Sequence, residues 1–301
     1  MSSNKLIDCF PYFNEKELLE FRIKLLYDSV DTFLITEANQ THSGLNKTYS
    51  ASKVIQTIDD PLNKINLIQI DYTNYPNLDS NIKRENFQRD IVFKVLDEFD
   101  DDCLFFFGDC DEILNPEYID WICNTARQFP NNILRTPLAF LNCSANFRVF
   151  DNNDNPICWN SPFVANKKHL NTYTPSKIRE FKSLPSQEDE NIFPDITITV
   201  DNIEFIMGWH FSWMGNNQNR MIKYKSYLHS NDFDSNFLED YMDSYKPQNG
   251  SLDPLGRNNH ILRPYDLELL PDLILRNEKF KNFFLPQLPE EKVFTQKIIK
   301  L

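Results

Sequence analysis

The sequence contains no long hydrophobic run. No stretch approaches the roughly 20 apolar residues that a membrane-spanning helix requires, and no apolar segment of the signal-peptide kind follows Met1–Lys5. We therefore expect a cytoplasmic protein without a membrane span, a signal peptide or an N-terminal membrane anchor.

Cysteine pairs of the kind that bind zinc are also absent. The chain has six cysteines, but no two form a CxxC pair and most lie in apolar runs. Buried free thiols are therefore expected rather than disulfides or a zinc site.

Basic residues are fewer than acidic ones. The 301 residues include 31 Lys and Arg against 44 Asp and Glu, which gives a net charge of −13. We expect no broad nucleic-acid-binding face, because phosphate neutralisation needs clustered Lys and Arg. The six glycines argue against low-complexity sequence, and the 41% hydrophobic and 14% aromatic content is typical of a globular protein.

The most distinctive segment is residues 103–113, CLFFFGDCDEI. A short apolar run between acidic residues predicts a buried central strand that emerges into a polar cleft. Because side chains alternate along extended backbone, Asp109 and Asp111 should point the same way, and their repulsion favours a shared cation or proton. Carboxylates suit Mg²⁺ or Mn²⁺, which in turn bind phosphate oxygens. We predict a metal-assisted diphosphate site, with a solvated acidic turn as the alternative.

Strands and helices alternate through the first 130 residues. This alternation predicts an α/β fold with a mostly parallel, Rossmann-like sheet covered by helices, and ligands at the carboxyl ends of the strands. Pro11 should end the first strand, because proline lacks a backbone donor. The predicted strands are Lys5–Cys9, Val30–Thr36, Ile65–Ile70 and Cys103–Phe107. The first predicted helix starts at Asn14 and ends at Tyr27, the second starts at Asp79 or Ser80 and ends at about Glu98, and a third starts at Asn115.

The second half has a different pattern. Short β-like runs at Ile133–Leu141, Phe147–Phe150 and Ile157–Ala165 favour a smaller antiparallel part. A loop is expected at Lys182–Pro194, two strands within Ile196–Trp213, helices at Gln218–His229, Phe237–Tyr245 and Asp266–Phe280, and a loose tail from Pro286.

Five further polar residues have two interpretations each. Glu37 and Asn39 follow the second strand and could bond a ribose or base, or only cap the turn. Arg84 and Arg89 share one helix and could face a diphosphate, or only pair with neighbouring acids. His210 lies between two aromatic residues and could be a metal ligand or a core histidine.

Four segments, in this order and at these intervals, resemble glycosyltransferase family 17. They are IDCFPYFNEKELLEFR, FLITEANQTHSG, RENFQRDIVFKVLDEFDDDCLFFFGDCDEI and GWHFSW. The resemblance extends from about Leu6 to His229, and a weaker similarity is present at Asn258–Asn277. The family includes the β-1,4-mannosyl-glycoprotein 4-β-N-acetylglucosaminyltransferase that adds bisecting GlcNAc.

This resemblance implies a GT-A fold and an inverting glycosyltransferase. The donor would be a UDP-sugar, UDP-GlcNAc by family precedent, and the acceptor a hydroxyl group, in a glycan or another molecule. We interpret residues 1–285 as one domain, with a nucleotide-sugar half at about 1–130 and an acceptor half at about 131–285, followed by a tail at 286–301.

The resemblance also assigns site residues. Asp109 and Asp111 fall on the family's DxD-type motif with Glu112 beside it, and His210 falls on the histidine of its GWH block. A Mn²⁺ or Mg²⁺ ion would be held by Asp111, with Asp109 and His210 assisting. Positions that would bind the donor are Asn14, Glu15, Glu37 and Asn39 for the nucleoside, and Arg84 and Arg89 for the diphosphate.

The sequence departs from the family's Golgi enzymes, which carry a membrane anchor. Its Asn-, Lys-, Ile- and Phe-rich composition favours a bacterial or viral source, so the bisecting reaction is not transferred. Little aligns around Lys167–Ile206, where an acceptor would bind. The candidates for the base that deprotonates the acceptor are Glu180, Glu188, Asp189, Glu190 and Asp195.

Two other functions remain open at the level of sequence. A haloacid-dehalogenase-like phosphatase also places DxD after an apolar strand, although on its first strand. A non-catalytic sugar-binding or virion surface protein could keep the same fold.

Overall fold

The computed structural model describes residues 5–181, 194–197, 199–200, 203–226 and 245–286. The strands are β1 (Leu6–Tyr12), β2 (Thr32–Ala38), β3 (Ile65–Ile70), β4 (Leu104–Phe107), β5 (Glu112–Leu114), β6 (Ile133–Arg135), β7 (Leu138–Asn142), β8 (Ser144–Phe150), β9 (Cys158–Trp159), β10 (Phe163–Asn166), β11 (Asp195–Ile196), β12 (Thr199–Val200), β13 (Ile203–Glu204), β14 (Gly208–Ser212) and β15 (Ile261–Pro264). The α-helices are α1 (Lys16–Leu26), α2 (Ala51–Ile55), α3 (Asn81–Asp90), α4 (Ile119–Gln128), α5 (Lys167–Thr172), α6 (Pro175–Phe181), α7 (Asn217–Ser226), α8 (Asp272–Arg276) and α9 (Glu278–Phe284), with 3₁₀ turns at Tyr72–Asn74, Ile91–Glu98, Pro116–Tyr118 and Leu267–Leu269.

The chain forms two compact units. The first consists of the described parts of Met1–Leu138, Trp159–Gly208 and Ser226–Leu228, and the second of the described parts of Ala139–Cys158, Trp209–Lys225 and His229–Leu301. The interpretation of residues 1–285 as one domain stays a prediction.

A seven-stranded sheet forms the centre of the first unit. Its strand order is β11-β6-β10-β4-β1-β2-β3. The four neighbours β3, β2, β1 and β4 are parallel, whereas β10 runs antiparallel to both β4 and β6. This topology confirms the predicted α/β fold class, a mostly parallel sheet with helices and a smaller antiparallel part.

The core of the first unit lies on both faces of β4. Phe105 and Phe107 lie on one face, where the ring of Phe107 stacks on Phe163 of β10 with the centroids 5.3 Å apart. Phe106 lies on the other face, under the guanidinium of Arg22. Burial on both faces explains why β4 is a continuous apolar run.

The prediction that Pro11 ends the first strand is wrong. β1 continues through Pro11 to Tyr12, and Pro11 pairs in register with Thr36 of β2. On its other side, β1 pairs with β4 only as far as Cys9. Beyond Cys9 the strand therefore has a single neighbour, and an edge position of this kind tolerates the missing N–H of proline.

The start of α1 also differs from the prediction. Asn14 is not the N-cap: the cap residue is Glu15, and its side chain does not cap the helix. Instead, Glu15 Oε2 accepts hydrogen bonds from the backbone N–H groups of Phe13 (3.2 Å) and Asn14 (3.0 Å). The carboxylate thus stabilises the turn between β1 and α1.

The helix predicted from residue 80 to Glu98 is present only in its first part. Ser80 caps α3 as expected. The α-helix ends at Asp90, and Ile91–Glu98 continues as a 3₁₀ helix. Its residues Val92 and Leu96 still pack into the core. The apolar periodicity therefore predicted which side chains are buried, but not that this part is a 3₁₀ helix.

The second unit contains strand pairs of both directions. β7 and β14 are parallel, whereas β8 is antiparallel to β7 and to β15. The predicted run Ile133–Leu141 splits into β6 and β7. Thr136 and Pro137 separate the two strands, because a proline interrupts the ladder of a central strand.

The single helix predicted for Asp266–Phe280 is also wrong. A 3₁₀ turn at Leu267–Leu269 is followed by α8 and α9, with Pro271 at the start of α8. Proline fits the start of a helix but not its interior. The predicted helix Gln218–His229 corresponds to α7. Three predictions lie largely outside the described residues. They are the loop Lys182–Pro194 except Pro194, the helix Phe237–Tyr245 except Tyr245, and the tail beyond Pro286.

All six cysteines lie in described parts of the chain and are free thiols, as predicted. Within the ranges described above, no helix has the length and apolarity to cross a membrane.

Candidate active site

The acidic motif, residues 109–112, directly follows β4. Gly108 turns the chain at the carboxyl end of this strand, where a Cβ atom would approach Glu112 Oε2 to 3.2 Å. Glycine therefore permits the close turn. Asp111 and Glu112 are buried, whereas the Asp109 side chain is 31% exposed, so most of this turn is shielded from solvent.

The carboxylate of Glu112 connects several parts of the site. Its Oε2 accepts hydrogen bonds from the backbone N–H of Asp109 (2.7 Å) and from Arg179 Nη1 (2.9 Å). Its Oε1 accepts from Arg179 Nη2 (2.6 Å) and from Trp159 Nε1. Glu112 is fully buried, and a carboxylate in such a position requires partners of this kind.

Asp109 lies between two arginines. Its Oδ1 accepts from Arg89 Nη2 at 2.7 Å, and its Oδ2 accepts from Arg179 Nη2 at 2.9 Å. Burial raises the pKa of Asp109, but the charges of Arg179 and Arg89 outweigh burial and the repulsion from Asp111. The pKa of Asp109 therefore lies well below its ordinary value, and the group is ionised at neutral pH.

Arg22 of α1 connects the acidic motif to strand β1 of the sheet. Its Nη1 donates to the backbone carbonyls of Asp109 (2.6 Å) and Glu112 (3.0 Å). Its Nε and Nη2 donate to the two oxygens of Asp8 in β1 at 2.8 and 2.6 Å, and its guanidinium covers the ring of Phe10. The pair is fully buried, so Arg22 fixes the backbone of the motif relative to β1.

Helix α3 is attached to the carboxyl ends of β1 and β2. Gln88 Nε2 donates to the carbonyls of Tyr12 (3.2 Å) and Thr36 (2.9 Å), and the hydroxyl of Thr36 donates to the Gln88 carbonyl. These contacts place the next residue, Arg89, beside the motif, where it also pairs with Glu85.

Helix α6 is attached to the end of α3. Asp90 accepts hydrogen bonds from the backbone N–H of Ser176 (2.8 Å) and from its hydroxyl (2.6 Å). Burial raises the pKa of Asp90, and this effect is larger than the opposite effect of the hydrogen bonds from Ser176. This connection between α6 and α3 brings both Arg179 and Arg89 to the carboxylate of Asp109.

A pocket opens at this edge of the sheet. It encloses about 300 Å³ together with the solvent at its mouth, and its lining includes Pro11, Thr36, Gly108, Arg89 and Arg179. Pockets at the carboxyl ends of parallel strands are the usual ligand sites of α/β sheets.

The structure places the predicted nucleoside residues as follows. Glu37 is buried and accepts from the backbone N–H groups of Ser50 (2.7 Å) and Ala51 (3.1 Å) and from Lys47 Nζ (2.8 Å), so it stabilises the start of α2. Asn39 joins the ends of β2 and β3 by bonding Asp71 Oδ1 (2.7 Å) and the N–H of Tyr72 (3.0 Å).

Asn14 and Glu15, also predicted to hold the nucleoside, lie in the turn after β1, where Asn14 is exposed. Asn39 follows β2 and Glu37 lies near its end, so all four residues lie at the carboxyl ends of the parallel strands β1 and β2. Their role toward a nucleoside stays a prediction.

Of the two predicted arginines, only Arg89 contacts the acidic motif through the bonds described above. Arg84 is buried and donates to the carbonyls of His42 (2.8 Å) and Leu78 (2.8 Å) and to Asn81 Oδ1 (3.0 Å). It therefore holds the loops after β2 and before α3, and its role toward a diphosphate stays a prediction.

His210 lies in the second unit, in β14. It is buried, and its ring stacks on Phe140 of β7 with the centroids 5.0 Å apart. Among the residues that the structure describes, no group of three or more His, Cys, Asp and Glu side chains could hold a metal ion. Metal ligation by His210 stays a prediction.

Two of the candidate bases lie in the described part of the chain. Asp195 is exposed and pairs with Arg135 Nε at 2.8 Å, and Glu180 is exposed and lies 3.5 Å from Lys177 Nζ. Glu188, Asp189 and Glu190 lie outside the described residues.

Sequence reasoning missed Arg22, Arg179 and Trp159. For Arg22 a signal was present, because residues 18, 22 and 26 share one face of α1 and the other two are buried leucines. A charge on an apolar helix face indicates a buried partner. Arg179 and Trp159 lie 67 and 47 residues from Glu112, and no local pattern links them to it.

Two distant similarities illustrate the structural comparisons. A 4-diphosphocytidyl-2C-methyl-D-erythritol synthase is 13% identical, with a TM-score of 0.37, over 67% of this chain and 92% of that chain. A mannosyltransferase from Pyrobaculum calidifontis, solved in complex with GDP-Man and Mn²⁺, is 10% identical, with a TM-score of 0.39, over 74% of this chain and 61% of that chain. These similarities do not bear on activity.

The sequence comparisons gave one match. The comparison with curated proteins found none, whereas the model of glycosyltransferase family 17 matches residues 1–149. This range contains β1 to β4, the acidic motif, Arg22 and Arg89. The resemblance predicted from the sequence segments is therefore confirmed: residues 1–149 of this chain match glycosyltransferase family 17.

Proposed function

We propose that this protein transfers a sugar from a UDP-sugar to a hydroxyl acceptor with the help of a divalent cation. The donor is UDP-GlcNAc by family precedent, the acceptor is a glycan or another hydroxyl compound, and the transfer inverts the anomeric centre. The match of residues 1–149 to the family supports glycosyl transfer. The observation that carries the proposed cation and diphosphate site is the placement of two aspartates at the carboxyl end of a buried parallel strand.

The carboxylates of Asp109 and Asp111 fit a hard divalent cation. Mg²⁺ and Mn²⁺ prefer oxygen ligands, and Mg²⁺ sites commonly use one or two carboxylates, with water and substrate phosphates as the remaining ligands. The bound ion would stabilise the negative charge of the departing UDP.

The protein's own residues hold this site in shape. Arg22 fixes the backbone carbonyls of the motif, and Glu112 ties its turn together. Arg89 and Arg179 line the adjoining pocket. Guanidinium groups are suited to phosphate oxygens, which supports a diphosphate in this pocket.

A direct test is the release of UDP from UDP-GlcNAc by the purified chain with Mn²⁺, by transfer to acceptors or by slow hydrolysis. We expect release, and a loss of at least ~100-fold in Asp111→Asn, because a group that stabilises the leaving charge is removed. The control is Asp272→Asn, at a side chain of α8 that is 71% exposed, which should behave as the unmodified chain does.

The same assay separates the alternatives. A non-catalytic sugar-binding protein would bind the donor without releasing UDP. A phosphatase would release inorganic phosphate from simple phosphate esters and would not depend on the nucleotide. Either result would contradict the proposed transfer.

A further inference from the structure

Arg179 contacts both Asp109 and Glu112. One amino group donates to Glu112 Oε2 at 2.9 Å, and the other donates to Glu112 Oε1 at 2.6 Å and to Asp109 Oδ2 at 2.9 Å. The Arg179 side chain is only 15% exposed. This geometry is a fork of parallel bonds, which is the strong form of an arginine contact with carboxylates.

The remaining oxygen of Asp109 is also bound by an arginine. Arg89 Nη2 lies 2.7 Å from Asp109 Oδ1, so both oxygens of this carboxylate face a guanidinium group. An oxygen of Asp109 can therefore coordinate a divalent cation when the cation replaces the contact of Arg89 or Arg179 with that oxygen. A guanidinium and a cation on the same carboxylate also repel each other in a buried site.

We propose that Arg179 is a positioning residue that competes with a divalent cation for Asp109. This inference rests on the proposed function. Before the ion binds, Arg179 neutralises Asp109 and Glu112 and keeps the motif closed. When the ion binds at Asp109 and Asp111, it replaces the contact between Arg179 and Asp109.

The contacts of the two arginines indicate why Arg179 is the one exchanged. After leaving Asp109, Arg179 keeps two bonds to Glu112, whereas Arg89 would keep a single contact with Glu85. Release of Asp109 also frees one N–H bond of the Arg179 Nη2 group, beside the pocket that Arg179 lines. A donor phosphate could accept a hydrogen bond from this group.

The test is Mn²⁺ binding alone, measured by calorimetry on the full chain without a nucleotide. We expect Arg179→Gln to bind Mn²⁺ about tenfold more tightly than the unmodified chain, because a competing positive charge is removed. Arg179→Lys should fall between the two, because lysine keeps the charge but cannot bridge both carboxylates. The matched control is Arg276→Gln, at an arginine that is 80% exposed on α8, which should leave the affinity unchanged.

Thermal unfolding gives a second readout that needs no activity. Without Mn²⁺, Arg179→Gln should unfold at a lower temperature, because Glu112 loses its charged partner. Saturating Mn²⁺ should raise its midpoint more than that of the unmodified chain, since tighter binding stabilises the native state more. If Arg179→Gln does not fold, the lysine variant carries the test.

The outcomes separate this inference from the proposed function. If Asp111→Asn loses Mn²⁺ binding while both Arg179 variants bind no more tightly than the unmodified chain, the metal site stands and the competition is wrong. If the unmodified chain binds no Mn²⁺, or Asp111→Asn binds it equally well, the metal assignment fails and takes this inference with it.

Discussion

Glu112 has a different position from the two aspartates of the acidic motif. Along the sequence it is one more acidic residue after the strand, but in the structure it is fully buried and receives hydrogen bonds from Arg179, Trp159 and the backbone of Asp109. Its charge is therefore part of the structure of the site, whatever it contributes to catalysis.

The change Glu112→Gln should destabilise the protein. It keeps the shape but removes the charge that pairs with Arg179, and breaking a buried pair lowers the free energy of unfolding by about 3–5 kcal/mol. Urea denaturation would measure the difference.

The control for this prediction is Glu278→Gln on α9, where the carboxylate is 81% exposed. A surface change of this kind should stay within about 0.5 kcal/mol. If the two variants are equally stable, the structural role of Glu112 is wrong.

The site residues differ in how far the sequence could predict them. The acidic motif could be located from its position after an apolar strand, but strand alternation does not describe it. Residues 108–111 form a turn between β4 and β5, in which the Glu112 N–H donates to the Asp109 carbonyl. Arg179 comes from a helix 70 residues later, and it reaches the motif only because Asp90 holds α6 against α3. A contact made by tertiary packing leaves no local sequence pattern.

At the scale of elements, α5 depends on the charge of one histidine. The Asn166 side chain accepts from the His169 N–H at 3.1 Å, and His169 Nδ1 accepts from the Asn166 N–H at 3.2 Å. This capping box requires a ring nitrogen without a proton. Burial, with a smaller effect of Lys168, lowers the pKa of His169 to about 4.

This capping box predicts a loss of stability in mild acid. The unfolded histidine has a pKa of about 6.5, so below that pH the unfolded state binds a proton that the folded state does not. The contribution is fully present above pH ~6.5 and decreases as the pH falls toward 4, by about 2–3 kcal/mol.

Urea unfolding at several values of pH across this window would measure the effect. In His169→Gln, the amide oxygen can still accept from Asn166, but it does not titrate. The difference in stability between the two proteins should therefore change with pH in the stated direction. A constant difference would contradict the prediction.

Proline positions show why element boundaries were harder to predict than element types. β1 passes through Pro11 because only β2 is its neighbour there, a fact that depends on the length of β4. By contrast, Pro271 divides the region after Asp266 into short helices. The local rule is the same in both cases, and the tertiary neighbours decide its effect.

At the scale of the whole molecule, the fold class was predictable and the strand order was not. Alternating strands and helices indicate a parallel sheet, and β1 to β4 confirm it. The antiparallel insertion of β10 between β4 and β6 joins segments far apart in sequence. Such pairings follow from the packing of the complete chain rather than from local patterns.

The part of the chain that matches the family model is also the part with the best-defined site. Residues 1–149 include the acidic motif, whereas Arg179 and His210 lie beyond them. The proposed donor site therefore rests on the first unit, and the acceptor is the part of the function that the family match leaves undetermined.

The central claim is that the acidic motif binds the donor diphosphate through a divalent cation held by Asp111. The most direct measurement is UDP binding by calorimetry, with Mn²⁺ and with EDTA, for the unmodified chain and for Asp111→Asn. We predict binding by the unmodified chain with Mn²⁺, and its loss both in EDTA and in the variant. Equal UDP affinity under all of these conditions would contradict the account.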